Sequence, residues 1–183
     1  MFSKQIELAI TIAELFQTVK EQAVTDSLTG LNNRRYFEEF LQKELLRAQR
    51  QNQKFTIVGI DLDHLKQIND KYGHLQGDLA LRTVAGMLQS VLPKHWIIAR
   101  YGGDEFLAAG RCQDTKTLEE FKAAMTERLA KEALENHLTF ELTISVGGVT
   151  TQEEKDFTLE QYLRKADERM YEEKREHHKR KGV

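Results

Sequence analysis

A short, largely apolar run from Phe55 to Ile60 ends on two acids, Asp61 and Asp63. Such a run predicts a buried strand, so the chain must fold with helices over at least one face of a sheet. It must also supply counter-charge, because a carboxylate at the end of a buried strand stays ionised only beside a cation. At the two-residue period of a strand, Asp61 and Asp63 share one face while Leu62 faces the other way.

The pattern of the remaining chain gives the partners of that strand. Thr25 to Asn33 collects Asp26, Ser27, Thr29, Gly30, Asn32 and Asn33, which is turn and cap chemistry and marks a boundary. A helix with Phe37, Phe40, Leu41, Leu45 and Ala48 on one face follows. Leu81, Val84, Ala85, Leu88 and Val91 mark another, closed by Pro93, the only proline. Trp96 to Arg100 begins a strand, Gly102 and Gly103 turn the chain, and Phe106 to Ala109 returns as the hairpin partner. Thr117 to Glu120 reads as a capping box before a helix carrying Leu118, Phe121, Met125 and Leu129. From Leu138 to Val146 apolar and polar residues alternate, which predicts a half-buried, antiparallel strand. Thr158 to Gln161 caps a last helix with Leu159, Leu163, Ala166 and Met170 on its apolar side. The order predicts an α/β or α+β domain with a mixed sheet.

Two terminal segments stand apart. Over Gln5 to Gln22, Ile12 and Val19 fall at heptad a and Leu8 and Leu15 at d, a choice that favours parallel two-stranded coiled coils. A second stripe of Ile6, Ile10, Ala13 and Phe16 suits a helix packed on its own domain equally well. The preferred reading of residues 1–24 is a dimerising or signal-carrying helix, with the main domain over 25–178 and a charged tail at 179–183. The run from Lys174 to Lys181 reads as a solvated helix end. Its adjacent His177 and His178 point about 100° apart on a helix and do not readily share one metal ion.

Composition removes several function classes. Lys and Arg number 27 against 29 Asp and Glu, a formal charge of -2, whereas phosphate neutralisation by a nucleic-acid binder calls for a basic excess. Cys112 is the single cysteine, so no intramolecular disulfide forms and no zinc site can be built from thiolates. No stretch approaches the roughly 20 apolar residues of a membrane span, and no secretory signal opens the chain. A cytoplasmic location without membrane contact is expected, and 183 residues suit one domain plus an appended helix.

The chemistry should sit with the acids. Asp104 and Glu105 follow Gly102 and Gly103, and a hairpin beside the buried strand would bring one of them next to Asp61. A single strand-end acid is more often simply solvated; two such clusters, one behind a Gly-Gly turn, suggest a hard divalent cation and nucleotide phosphates. The glycines would let backbone amides and a ligand approach closely, although a plain tight turn needs them as well. Lys66 opens a segment whose amides could face phosphates, and its ammonium would offset charge in phosphoryl transfer. Asn69 and Asp78 form an amide–carboxylate pair able to read guanine, the Asp accepting from N1–H and N2–H, donors that adenine lacks.

These residues carry a resemblance. Arg100-Tyr-Gly-Gly-Asp-Glu-Phe106 resembles the signature of bacterial GGDEF domains, the diguanylate cyclases. Asp26-Ser-Leu-Thr-Gly-Leu-Asn-Asn-Arg-Arg35 is similar to the family's opening motif, and Asp61-Leu-Asp-His-Leu-Lys-Gln-Ile-Asn-Asp70 to its metal strand. Tyr72-Gly-His-Leu-Gln-Gly-Asp78 resembles its base-binding turn, and Lys165-Ala-Asp-Glu-Arg-Met-Tyr171 its last helix. The motifs keep the family's order over about residues 25 to 175.

The resemblance implies a mainly antiparallel sheet like the adenylyl cyclase and polymerase palm, and the condensation of two GTP into cyclic di-GMP with loss of two pyrophosphates. It implies Mg²⁺, with Mn²⁺ as an alternative, held by Asp61, the Leu62 carbonyl and Asp104, with Glu105 nearby. Asp104 or Glu105 would help deprotonate the ribose 3'-hydroxyl, and Lys66 would stabilise phosphate charge. Asn69, His74 and Asp78 match nucleotide contacts, with Gly102 and Gly103 in the substrate turn and Lys174 as a phosphate-binding lysine. A homodimer of facing domains and an upstream sensory module are the implied partners. Two departures are specific. His178 stands where the family often has a phosphate-binding arginine, so weaker GTP binding is expected unless Arg175, Lys179 or Arg180 substitutes. Pro93 and Trp96 stand where many members carry an Arg-x-x-Asp product-inhibition site, so feedback there is expected to be absent.

Overall fold

The structure, a computed structural model, describes Ile6 and residues 24–111, 118–154 and 157–181, with the side chains of the last helix described as far as His177. The expected coiled-coil helix apart from Ile6, Cys112, the capping Thr117, the His178 side chain and the side chains of the tail lie outside the described residues.

The elements run β1 (Asn32–Asn33), α1 (Arg34–Arg50), β2 (Phe55–Leu62), α2 (Leu65–Tyr72), α3 (His74–Val91), β3 (Ile97–Arg100), β4 (Glu105–Arg111), α4 (Leu118–Glu135), β5 (Ile144–Thr150) and α5 (Leu159–Lys181). The sheet order is β1-β3-β4-β2-β5. Only the short β1 pairs in parallel, with β3; the β3–β4, β4–β2 and β2–β5 ladders are antiparallel.

Both faces of the sheet are covered, which is why every residue of β2 is buried. Val58, Ile60 and Leu62 pack on one face with Leu81, Val84 and Leu88 of α3 and Phe121 and Met125 of α4. Phe55 and Ile57 face the other way, under Phe37, Leu41 and Leu45 of α1 and Tyr162 and Ala166 of α5. The expected apolar stripes of α1 and α5 therefore point inward. The Thr158–Gln161 capping box forms as expected, with Thr158 N–H donating to Gln161 Oε1 at 2.8 Å and Gln161 N–H donating to Thr158 Oγ1 at 3.3 Å.

The alternating stretch is corrected. β5 begins at Ile144 rather than Leu138 and continues to Thr150, and it is buried on both sides rather than half-buried. Residues 138–143 run ahead of the ladder, with Leu142 buried and Leu138 and Phe140 packed against the core. Gly147 and Gly148 lie within the strand. A Cβ on Gly147 would overlap Met170 N and Ala166 O, so glycine is what allows the α5 backbone to lie against β5. Side chains of α5 also reach the strand: Glu173 Oε2 accepts from Val146 N–H at 2.9 Å, and Arg169 Nη1 donates to the Gly148 carbonyl at 2.5 Å.

A second correction concerns the connection after β2. His64 adopts a left-handed backbone (φ 60°), α2 follows at once, and Gly73 (φ 87°) hinges it to α3, which starts at His74 and not near Leu81. A helical corner thus follows directly on the end of β2.

Candidate active site

Register brings the two acid pairs together. Asp61 of β2 pairs across the ladder with Glu105, the first residue of β4, and on its other side with Ser145 of β5. Residues opposite one another in a ladder present their side chains on the same face. Asp104 precedes Glu105, and its carbonyl accepts from Leu62 N–H at 2.9 Å, locking the turn against the end of β2. Leu62 itself is wholly buried on the opposite face.

Asp61 is 4% exposed and its Oδ1 accepts from Lys174 Nζ of α5 at 2.7 Å. Burial pushes the Asp61 carboxyl up to about 6; Lys174 opposes that rise, while the Asp104 and Asp63 charges add to it. For Lys174, burial favours the neutral amine, but Asp61, Asp104 and Asp63 outweigh it and its pKa is raised. Asp63 is buried too: Ser145 Oγ donates to its Oδ1 at 2.7 Å, and His177 Nδ1 lies 3.3 Å from its Oδ2.

The Gly-Gly turn is shaped by its neighbours. Tyr101 N–H and Gly102 N–H both donate to the Glu105 carbonyl, at 2.8 and 3.1 Å. A Cβ on Gly102 would stand 2.6 Å from Glu105 Oε2, whereas one on Gly103 would meet nothing within 4 Å. Arg100 donates to the Gly103 carbonyl at 2.7 Å through Nη2 and pairs with Asp26. Behind the turn, Tyr101 O–H donates to Glu38 Oε1 at 2.6 Å, and the Arg34 guanidinium lies 4.4 Å over the Tyr101 ring. Burial and the Glu38 carboxylate push the Tyr101 phenol up to about 12.

The remaining expected residues occupy the helical corner. Lys66 is exposed on the first turn of α2, and His74 is exposed where α3 begins. Asn69 is half-buried, its side chain laid over Gly77 so closely that a Cβ there would overlap Asn69 Oδ1. Asp78 is half-buried one residue further along α3. Asp61, Asp63, Asp104 and Lys174 therefore form one charged group, with Glu105 opposite Asp61 in the ladder and its charge felt at Arg34 and Tyr101, and Lys66, Asn69, His74 and Asp78 lie together on the α2–α3 corner that follows β2.

Among the described residues, no three His, Cys, Asp or Glu side chains stand where they could form a metal cage by themselves. The donor set still fits a hard divalent cation: oxygen atoms only, one buried carboxylate crowded by two others, and the Lys174 ammonium already supplying positive charge at Asp61. Sequence reasoning also passed over Ser145, Glu173 and Lys122, and it placed His177 only as one of two adjacent histidines in a solvated helix end, with no signal that it would meet Asp63, 114 positions away.

A family model described as "Diguanylate cyclase, GGDEF domain" matches residues 23–180. The chain is 36% identical over 165 residues to diguanylate cyclase DgcP of Pseudomonas aeruginosa, covering 85% of this chain and 23% of that protein. It is 32% identical to a diguanylate cyclase of Vibrio cholerae, covering 90% of this chain and 50% of the relative. The chain thus spans a quarter to a half of the length of these relatives. The crystal structure of the coiled coil and GGDEF domain of DgcB from Caulobacter crescentus in complex with c-di-GMP superposes with a TM-score of 0.75. It has 24% identity and covers 95% of this chain and 92% of that one, which establishes the shared fold. The chain belongs to the GGDEF domain family of diguanylate cyclases. Among the described residues, no helix is long and apolar enough to cross a membrane.

Proposed function

We propose that this domain condenses two molecules of GTP into cyclic di-GMP, releasing two pyrophosphates, between two copies of itself that face each other. The observation that carries the reading is the pairing of Asp61 with Glu105 across β2 and β4, with Asp104 at the turn and Lys174 on Asp61. Each ribose 3'-oxygen forms a bond to the α-phosphorus of the other nucleotide while the bond to the pyrophosphate oxygen breaks. The hydroxyl proton passes to Asp104 or Glu105.

Asp61, Asp104 and the Leu62 carbonyl would hold Mg²⁺. When bound, that ion supplies neutralisation of phosphate charge and polarisation of the α-phosphate. Lys66 and Lys174 carry positive charge to the phosphates from two sides, one from α2 and one from α5. Asn69 and Asp78 read the guanine edge, and His74 contacts the nucleotide. One copy binds one GTP, so ring closure needs a second copy, and bringing the reactants together is the main catalytic contribution.

Product inhibition through the usual Arg-x-x-Asp position is absent in this reading. Trp96 is turned into the core instead, 6% exposed, packed at a tilt against Phe121 with ring centroids 5.4 Å apart, and donating from Nε1 to the Arg111 carbonyl at 3.3 Å.

The test is incubation of the purified protein with GTP and Mg²⁺ and identification of the products by mass. Cyclic di-GMP from the wild type and none from Asp104→Asn supports the assignment. GTP binding without any product would instead make the domain a nucleotide-binding regulatory module.

A further inference from the structure

Three neighbouring side chains of α5 are tied to the sheet at separate points. Lys174 reaches Asp61 at 2.7 Å, and one turn later His177 reaches Asp63. Glu173, four residues before His177, receives Val146 N–H at 2.9 Å and Lys122 Nζ at 2.7 Å. The His177 ring lies between two of these groups, with Nδ1 3.3 Å from Asp63 Oδ2 and Nε2 3.4 Å from Glu173 Oε1. Asp63 is a firm anchor: its side chain has no exposed surface, and the wholly buried Ser145 holds its other oxygen.

We infer that His177 is a positioning residue for Lys174. A lysine on a four-carbon stem loses much rotational freedom when its ammonium is held at one point, and a fixed helix turn reduces what must be ordered on binding. Joining α5 to Asp63 sets the rotation and height of the turn that carries Lys174, so its ammonium arrives at Asp61. The imidazole suits this task because it is short and planar and offers a nitrogen at each edge, one toward the sheet and one toward its own helix. The inference rests on the proposed GTP reading for the identity of the ligand that Lys174 serves, and on the geometry alone for the positioning.

Two measurements on the whole chain test it, and the first needs no nucleotide. Acylation of Lys174 by an amine-directed reagent, followed by mass spectrometry, should speed up by about threefold or more in His177→Ala and in the bulkier His177→Met, because a released lysine is more accessible. His177→Gln, whose amide can still donate to Asp63, should stay near the wild-type rate. An unchanged rate in both His177→Ala and His177→Met overturns the proposal.

The second measurement is steady-state kinetics. KM for GTP should rise about tenfold in His177→Ala with kcat changed by less than about threefold, as expected for lost ground-state binding. In a Lys174→Ala background, adding His177→Ala should change KM by less than about twofold, because the effect travels through Lys174. An equal rise in both backgrounds marks a merely structural role and overturns the inference. If labelling responds as expected while the wild type makes no cyclic di-GMP, the functional reading falls and the positioning role stands.

Discussion

Asp26 and Arg100 meet 74 positions apart in the chain, with both carboxylate oxygens 3.4 Å from Nη1. The same carboxylate accepts from Thr29 N–H at 2.9 Å and Thr29 O–H at 2.7 Å, and the same guanidinium holds the Gly103 carbonyl. One ion pair therefore fastens the loop before β1 to the turn that carries Asp104 and Glu105.

Asp26→Ala should lower stability at neutral pH by about 1–2 kcal/mol, mostly through the Thr29 bonds, since solvent screening keeps the partly exposed ion pair itself small. Burial raises the Asp26 pKa, but the Thr29 hydrogen bonds and Arg100 more than offset this and hold it below the ordinary carboxylate value of 3.8. An acid with a lowered pKa stabilises the fold above its unfolded value, and that contribution disappears as pH falls through the folded one. The difference in Tm between wild type and variant should shrink below about pH 4; a constant difference down to pH 2 would refute the linkage.

Gly102 and Gly103 should respond differently to alanine. At Gly102 the new methyl group would meet Glu105 Oε2, the mobile end of a side chain, so the protein should fold with Tm within about 2 °C of wild type while product formation falls at least about tenfold. At Gly103 the new methyl group would meet nothing within 4 Å, so a loss of turnover with unchanged Tm would locate the nucleotide against that face. Full activity in Gly102→Ala would remove the Glu105 carboxylate from the chemistry.

Gly147→Ala has no such escape, because its neighbours Met170 N and Ala166 O are backbone atoms of α5. The helix must lift, at a cost of about 3 kcal/mol, and Lys174 moves with it. Urea unfolding should show the loss; a variant as stable as wild type would mean that α5 does not lie on β5 in solution.

Asp61 links stability to pH in the opposite sense. Its folded pKa of about 6 lies above the ordinary 3.8, so its protonated form stabilises the fold and that contribution fades as pH rises through this interval. Between pH 4 and 7 the metal-free wild type should lose Tm relative to Asp61→Asn, and Mg²⁺ with GTP should restore it in the wild type alone. Parallel curves for the two proteins would count against a strained, metal-seeking carboxylate.

What could be read from the chain follows the range of the forces involved. β2 was evident because burial on both faces leaves an unbroken apolar run, and the site at its end because acids there demand compensation. The α5 cap was evident because Thr158 and Gln161 are near neighbours. β5 was misplaced because its glycines answer to the backbone of α5, a contact without local trace. The early turns of α3 were missed because His74, Gln76, Gly77 and Asp78 lack an apolar stripe and serve the corner with α2. The partner of Asp63 was invisible for the same reason: chain separation hides which histidine arrives.

The contacts of Glu173 and Arg169 with Val146 and Gly148 have a consequence for how the molecule associates. They occupy an outward amide and carbonyl on the terminal strand, groups that a foreign strand would otherwise use. The helix behaves there as a substitute neighbour, discouraging edge-to-edge growth into larger aggregates. Any pairing of two copies is thereby directed to surfaces built from side chains, where the partners can separate again.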